Sequence, residues 1–331
     1  MNSIKKRKHD VKIFCAVALM AGVVCSPAHG QGTDYPNRPI RMLVGFTAGG
    51  GTDSVARVMS QRFSEVLGQS VVIDNRAGAG GNIAAQIAAK SSADGYTMHL
   101  VPSSFATNPS LYSNAGYDPV RDFITVTTVA TTPYVIEVNN ALPAKTVREF
   151  IAYAKSKPGQ LNYASGGTGT PSHLAMELFK TMAGIDLVHV PYKGGGLALT
   201  DLIAGHVAIY VDPIILAMQF VQSGKTRALA VTTPRRAEVL PNVPTAAEAG
   251  LPGYDVTGWY GIVVPATTPK PVVDKIQTAT RRVLDTPEVR ERFKTFGLDP
   301  AASTPDEFSR FMRAEIVKWS KVIKDSGAKV D

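Results

Sequence analysis

The sequence predicts an α/β fold in two lobes, each a mostly parallel sheet flanked by helices. Three observations predict it. Strand-like and helix-like runs alternate along the chain, the pattern of strands joined by helical crossovers. With a leader over residues 1–30 set aside, 301 of the 331 residues remain, more than one core of about 250–300 residues serves. Two glycine-rich turns, each between a strand-like and a helix-like run, lie about 120 residues apart, as two lobes facing one ligand would place them.

The elements follow in order. Pro39-Ile40-Arg41-Met42-Leu43-Val44 reads as a mostly apolar strand. Val55, Val58, Met59, Phe63, Val66 and Leu67 then share one helical face, and Gly68 stops the helix. Between them, the glycines of Gly45-Phe46-Thr47-Ala48-Gly49-Gly50-Gly51-Thr52-Asp53 let the backbone turn tightly and present N–H groups with no side chain in the way. The helix that follows begins with about half a positive charge and unpaired donors, so the turn suits an anion. A second strand over 70–75 leads into Gly78-Ala79-Gly80-Gly81-Asn82 and a helix over 83–90. This turn lacks the spacing of a dinucleotide fingerprint and the lysine of a P-loop, so close packing of a helix start is favoured over an anion site. After Asp94-Gly95, a third strand over 96–101 empties into Pro102-Ser103-Ser104. Ligands in open α/β sheets sit beyond the carboxyl ends of strands, which makes Ser103 and Ser104 pocket candidates as well as ordinary loop hydroxyls.

Residues 126–130 and 134–138 are strand-like, with a crossing to the second lobe near 131–133. Thr146-Val147-Arg148-Glu149 is a capping-box pattern, followed by Phe150, Ile151 and Ala154 at helical spacing. The second glycine turn is Ser165-Gly166-Gly167-Thr168-Gly169. Thr170 is placed to cap the next helix and Pro171 to begin it, ahead of a stripe of Leu174, Ala175, Leu178, Phe179 and Met182. A strand over 187–190, a helix over 197–204 ending at Gly205, a strand over 207–211 with Asp212 at its end, and a strand over 227–232 complete this lobe. Trp259-Tyr260-Gly261-Ile262-Val263-Val264 is a late strand expected to rejoin the first lobe's sheet. That return makes the first lobe discontinuous, over 31–131 and 255–331, around a second lobe over 132–254. Residues 272–284 are amphipathic, and Thr304-Pro305-Asp306-Glu307 combines an N-cap, an N1 proline and a capping box. Phe308, Phe311, Met312, Ile316, Trp319 and Ile323 line that last helix as a core stripe.

The leader has a basic start (Lys5, Lys6, Arg7, Lys8, Lys12), an apolar run of 13 residues to Cys25, and Ala28-His29-Gly30 as a small-x-small cleavage site. That order is a secretory signal peptide, and the run is too short for an ordinary membrane span. The protein is expected in the periplasm, released near Gly30. The leader holds five basic residues and one acid, so the 35 and 27 of the full chain become 30 and 26, a net +4 instead of +8. No basic run remains to suggest nucleic acid. Both cysteines leave as well, and with them any disulfide, thiolate nucleophile or cysteine metal site.

Catalysis finds little support. Ser172 and His173 are neighbours, but adjacent helical residues point about 100° apart, so they cannot converge as a triad requires. No Gly-x-Ser-x-Gly elbow occurs. His99, His189 and His206 lack metal-ligand spacing. No catalytic residue, metal or cofactor is expected.

Residues 44–57, 75–82, Asp94-Gly95-Tyr96-Thr97, Asn108-Pro109-x-Leu111-Tyr112 and Asp122-Phe123 occur in the order seen in the Bug-type receptors of tripartite tricarboxylate transporters. Residues 163–175, 191–196, the Pro244-Thr245…Glu248-x-Gly250 run and Trp259-Tyr260-Gly261 continue the match over essentially the whole mature chain. The chain therefore resembles that family. The resemblance implies a monomeric extracytoplasmic solute-binding protein with a two-lobed periplasmic-binding-protein-like fold joined by crossing strands. It would close on a small carboxylated ligand and deliver it to a membrane permease made by other chains. The two turns would hold a carboxylate through backbone amides, hydroxyls and ordered waters. By position this implicates Phe46, Thr47, Ala48, Gly49 and Gly51 from one lobe, and Ser165, Gly167, Thr168, Gly169 and His173 from the other. Thr47 and Thr125 stand where the family often has proline, and Ala208 where an acid is common.

The chemistry of the residues agrees on the anion. A helix N-terminus contributes about 0.3–1 kcal/mol, or about 2 when partly buried, and charge-assisted bonds about 1.5–3 each. A few of these with apolar burial reach the roughly 8 kcal/mol of micromolar binding without any arginine. Asp53 either steadies the first helical turn or meets an ammonium or ring N–H of the ligand, and Asp212 faces the same choice. Tyr192 and Phe46 either sandwich a ligand or pack the hinge and core. Lys193 either pairs with a distal carboxylate or is solvated. Di- and tricarboxylates, acidic amino acids and aromatic acids all remain open, with the aromatic neighbours favouring a flat or extended acid. Presentation of the ligand to a membrane sensor is the alternative output.

Overall fold

The computed structural model describes residues 35–330; the leader expected over 1–30 lies outside the described residues. β1 (Ile40–Val44) pairs in parallel with β2 (Val71–Asn75) on one side and β3 (Thr97–Pro102) on the other. Ile40 and Met42 to Val44 are fully buried, as a strand covered on both faces requires. α1 (Gly51–Leu67) follows β1 and ends at Gly68, whose left-handed φ of 69° lets its N–H reach the Ser64 carbonyl. α2 (Asn82–Ala89) follows β2.

After β3 the chain does not stay in a loop. It enters α3 (Ser104–Leu111) although Pro109 lies inside the helix. A proline there leaves the carbonyl four residues back without its partner. The buried Tyr117 hydroxyl supplies one, donating to the Phe105 carbonyl at 2.9 Å.

β4 (Phe123–Val138) is one strand of 16 residues where the sequence suggests two. Its first part runs antiparallel to β9 (Thr257–Pro265) as far as Pro133 opposite Thr257. From Tyr134 on it pairs with the second lobe's strands. Proline cannot donate to a ladder, and Pro133 stands where β4 leaves one set of partners for the other.

In the second lobe, α4 (Val147–Lys155) is capped by Thr146, which accepts from the Glu149 N–H at 3.1 Å. Glu149 reaches back one residue further than a capping box does, to the Lys145 N–H. β5 (Asn162–Ser165) lies between β6 (Val188–Pro191) and β7 (Ile209–Pro213), parallel to both. α5 (Pro171–Ala183) and α6 (Gly195–Ala204) are the crossovers, α7 (Ile214–Gln222) leaves directly from β7, and β8 (Arg227–Val231) pairs with β4.

β9 then inserts between β3 and β4, antiparallel to both. α8 (Lys270–Leu284), α9 (Pro287–Thr295), the short β10 (Asp299–Pro300) and α10 (Pro305–Ser326) follow. The strand order β2-β1-β3-β9-β4-β7-β5-β6 is continuous. Three parallel strands lie at each end, and β9 and β4 cross between them, antiparallel to each other and to β3 and β7 on either side. The architecture is the expected two-lobed α/β fold. Both halves of the Thr304–Glu307 capping box are made, and α10 runs across both cores. Phe308 and Met312 pack with Trp259 and Phe105, while Trp319 and Ile323 pack with Phe179 and Ile136.

Candidate functional site

Three helices start at the carboxyl ends of parallel strands and aim their N-termini at one cavity of about 390 Å³: α1 after β1, α3 after β3 and α5 after β5. This is where an open α/β sheet offers a ligand its site. The first lobe brings Phe46, Thr47, Gly51, Ser103 and Ser104 to the wall, and the second lobe brings Thr168 and Gly169. Gly50, Thr52, Thr170 and Pro171 complete the two turns. The crossing strands contribute Thr132, Tyr134, Trp259 and Tyr260. Among the described residues lining the cavity none carries a charged side chain. Burial pushes the Tyr260 hydroxyl up to about 12, and Tyr134 further, so both remain neutral donors.

The first turn is held from below by Asp53. Its fully buried carboxylate accepts the Gly49 N–H at 2.8 Å, Arg57 Nε at 2.7 Å and Asn75 Nδ2 at 3.0 Å. Asn75 also donates to the Phe46 carbonyl at 3.0 Å. Burial raises the Asp53 pKa, but Arg57, the Gly49 N–H and Asn75 outweigh that and hold it below the usual carboxylate range. The turn has no side chain over the start of α1, where Gly50 is the N-cap. A Cβ on Gly45 would lie 2.8 Å from Gly81 Cα, so the first turn and the 78–81 turn meet only as glycines. Asp53, Ala48 and Gly49 do not line the cavity.

The second turn rests on imidazoles. His173 Nδ1 accepts the Gly169 N–H at 3.1 Å, which leaves the ring proton on Nε2. His189 Nε2 lies 2.7 Å from Ser165 Oγ. The two rings stack 4.0 Å apart, and Tyr163 stacks on His189 at 4.8 Å. Tyr163 in turn bonds Glu177, which pairs with Lys180. Desolvation lowers His173 and takes His189 down to about 4, with the two rings' mutual repulsion adding to the latter. Ser165, Gly167 and His173 therefore sit within or under the turn and not on the cavity wall. Ser172 is occupied by the Gly166 N–H and Thr170.

Tyr192 and Asp212 are also away from the cavity. The Tyr192 hydroxyl donates to Asp201 at 2.6 Å, and Asp212 is fully buried behind α6. Lys193 is exposed on the surface. Sequence reasoning passed over Tyr112, Thr132 and Tyr134, and set Gly80 aside as helix packing, yet all four line the cavity. For Thr132 and Tyr134 the signal was topological, since strands that cross between lobes form the floor of whatever lies between them; Tyr112 at the end of α3 and Gly80 before α2 carried no such signal. Among the described residues no group of three or more His, Cys, Asp or Glu side chains could hold a metal. No helix among them is long and apolar enough to cross a membrane.

The model of the tripartite tricarboxylate transporter family receptor matches residues 55–328. The protein BugT of Bordetella pertussis is 36% identical over 322 residues, covering 97% of each chain. Among solved structures, Rpa4515 of R. palustris with adipate is 39% identical with a TM-score of 0.77, covering 89% of this chain and 99% of its own. MatC of Rhodopseudomonas palustris with bound malate is 33% identical with a TM-score of 0.73, covering 87% and 100%. This family comprises solute-binding receptors and not enzymes. A cleft built from helix starts and hydroxyls, on a fold shared over nearly the full length of such relatives, places the chain in the tripartite tricarboxylate transporter receptor family, the Bug-type solute-binding proteins.

Proposed function

We propose that this receptor captures a small dicarboxylate between its lobes in the periplasm, after removal of its leader, and hands it to a tripartite tricarboxylate-type permease. The observation that carries this is the cavity itself: three helix N-termini and a ring of hydroxyls, with no charged side chain on the wall. Such a lining stabilises an anion through fixed dipoles while remaining neutral when empty. A volume of about 390 Å³ accommodates a small dicarboxylate, and the relatives bound to adipate and malate support the same class. In this reading Thr47, Gly51 and Thr168 meet one carboxylate, with Ser103 and Ser104 at the start of α3 meeting the other. Asp53 and His173 hold the turns in shape. The lobes hinge where β4 changes partners, around Pro133, and at the start of β9.

Thermal unfolding of residues 31–331, refolded to remove carried ligand, tests it against adipate, malate, aromatic acids, acidic amino acids and their amides. Ligand at a hundred times its dissociation constant adds about 2.7 kcal/mol. Stabilisation by an acid and not by its amide is expected. Silence across the acids, or equal stabilisation by acid and amide, overturns the carboxylate reading. Uptake of the identified acid lost on deleting either the receptor or the permease tests the partnership.

A further inference from the structure

Glu137 on β4 and Asp212 on β7 are both fully buried. Val135 stands opposite Asp212 and Glu137 opposite Tyr210 in the antiparallel ladder. Glu137, Tyr210 and Asp212 therefore share one face, and the two acids are diagonal neighbours. Thr226 donates to Glu137 Oε2 at 2.7 Å. Glu137 Oε1 and both Asp212 oxygens have no hydrogen-bond partner.

Among the described residues, the groups that act on the pair from the surrounding elements are neutral. They are Tyr210 on β7, Tyr134 on β4, Thr226 before β8 and, from α5, Ser172 beside Tyr210. From α6, a Cβ on Gly195 would lie 3.7 Å from Asp212 Oδ1, with Leu216 of α7 alongside. Arg227, the cation nearest in sequence to Thr226, is spent on the carbonyls of Asn140, Leu142 and Ala144. Two adjacent buried carboxylates with no cation cannot both be ionised. Burial raises both pKa values, Glu137's to about 7, and the charge of Glu137 adds to the rise at Asp212.

The pair also stands behind the binding cleft. Thr170 lies on the cavity wall, and its hydroxyl is 3.1 Å from that of Ser172. Ser172 accepts the Gly166 N–H of the second turn and bears on Tyr210, which bears on Asp212. Tyr134 lines the cavity and feels the charge of Asp212 from the other side.

We propose that Glu137 and Asp212 form a proton-binding site coupled to the cleft, so that binding of an anionic ligand is accompanied by uptake of a proton from solvent onto the pair. This rests on the carboxylate reading above. An anion entering the cleft repels the charge of a pair that has lost one proton, through protein and not through water, which favours return of that proton. By linkage, affinity for the anion must then fall as pH rises through the range in which the pair titrates.

Calorimetric titration of adipate into the full-length mature receptor at pH 7, in buffers of different ionisation enthalpy, reads the proton directly. Uptake of up to about one proton per ligand is expected, with the dissociation constant rising by at most about tenfold per pH unit above neutrality. Glu137→Gln and Asp212→Asn should each reduce the uptake and flatten the pH profile. Tight binding with no proton uptake, or uptake unchanged in both variants, overturns the coupling. A second arm needs no ligand. Raised folded-state pKa values make the pair's contribution to stability full below the unfolded carboxyl pKa and progressively lost as pH rises toward about 7. Urea unfolding from pH 5 to 8 should therefore show the wild type losing stability relative to Glu137→Gln. Parallel profiles overturn the proton site. Absence of heat with adipate and with every other acid in the panel defeats the carboxylate reading and the coupling together, while the urea arm still decides the proton site.

Discussion

Gly51 shows how closely single atoms are set around the cleft. A Cβ there would lie 3.1 Å from the Tyr260 hydroxyl, tighter than ordinary contact. Gly51→Ala is expected to weaken ligand binding by pushing that hydroxyl aside, with stability changed by less than about 1 kcal/mol, since alanine suits a helix start at least as well as glycine. Titration of the identified acid against both proteins measures it; equal affinities would remove Gly51 from the wall. His173 acts one layer below. Its Nδ1 holds the Gly169 N–H only while the ring is neutral. Desolvation depresses the folded-state pKa of His173 and of His189, the latter to about 4. A histidine so depressed contributes stability above its unfolded pKa of about 6.5, and loses it as pH falls toward the folded value. The wild type should lose stability below pH 6.5 relative to His173→Gln, measured by urea midpoints. At neutral pH the variant should be weaker by about 1–3 kcal/mol if its amide fails to replace the acceptor.

Among the elements, α3 is the one whose freed carbonyl is satisfied by a side chain from outside the helix. Pro109 frees the Phe105 carbonyl, and Tyr117, stacked on Phe105 at 5.0 Å, returns a donor to it. Tyr117→Phe keeps the ring and removes only that donor. It should cost about 1–3 kcal/mol, the penalty for a buried acceptor left unpaired, and loosen the start of α3 under Ser103 and Ser104. Urea unfolding gives the first quantity and amide exchange over α3 the second; unchanged protection would mean that α3 stands without the tyrosine. Elements with local signals behaved differently. α5 and α10 carry a cap residue and an N1 proline, and α1 ends on a left-handed glycine, so their limits are written within a turn of where they fall. α7 carries no such mark, because its apolar residues begin directly after β7 with Pro213 as the only punctuation.

At the scale of the molecule, one continuous sheet and one helix bind the lobes together. β4 runs through both lobes, and α10 packs on both cores. In the proposed reading, closure on a ligand would be a bend in β4 and β9, a population shift driven by contacts available only when both turns reach the same carboxylate. Small-angle scattering should show a smaller radius of gyration with saturating ligand than without it, and the amide of the same acid should leave it unchanged. Equal radii with bound acid would mean that the cleft is already closed when empty.

The sequence by itself determined the α/β class, the two glycine turns and the capped helices that follow them. Each of these is encoded within a few residues, in glycines where side chains would clash, caps where N–H groups need acceptors, and apolar residues at the period of the element. The tertiary structure alone decided which residues face the cavity. Asp53 and His173 stand near cavity residues in sequence, yet each turns beneath its glycine turn to hold the backbone, while Tyr134 and Trp259 reach the cavity from segments read only as strands. The same holds for α3, for the unbroken β4 and for the buried acid pair. Each depends on something outside the segment's own pattern: Tyr117 beyond the end of a proline-bearing helix, β9 for a strand with a threonine-rich interruption, and the absence of any facing cation for Glu137 and Asp212 among the described residues. A local pattern specifies how a segment folds, but hydrogen-bond satisfaction and desolvation are settled only by what the fold brings alongside.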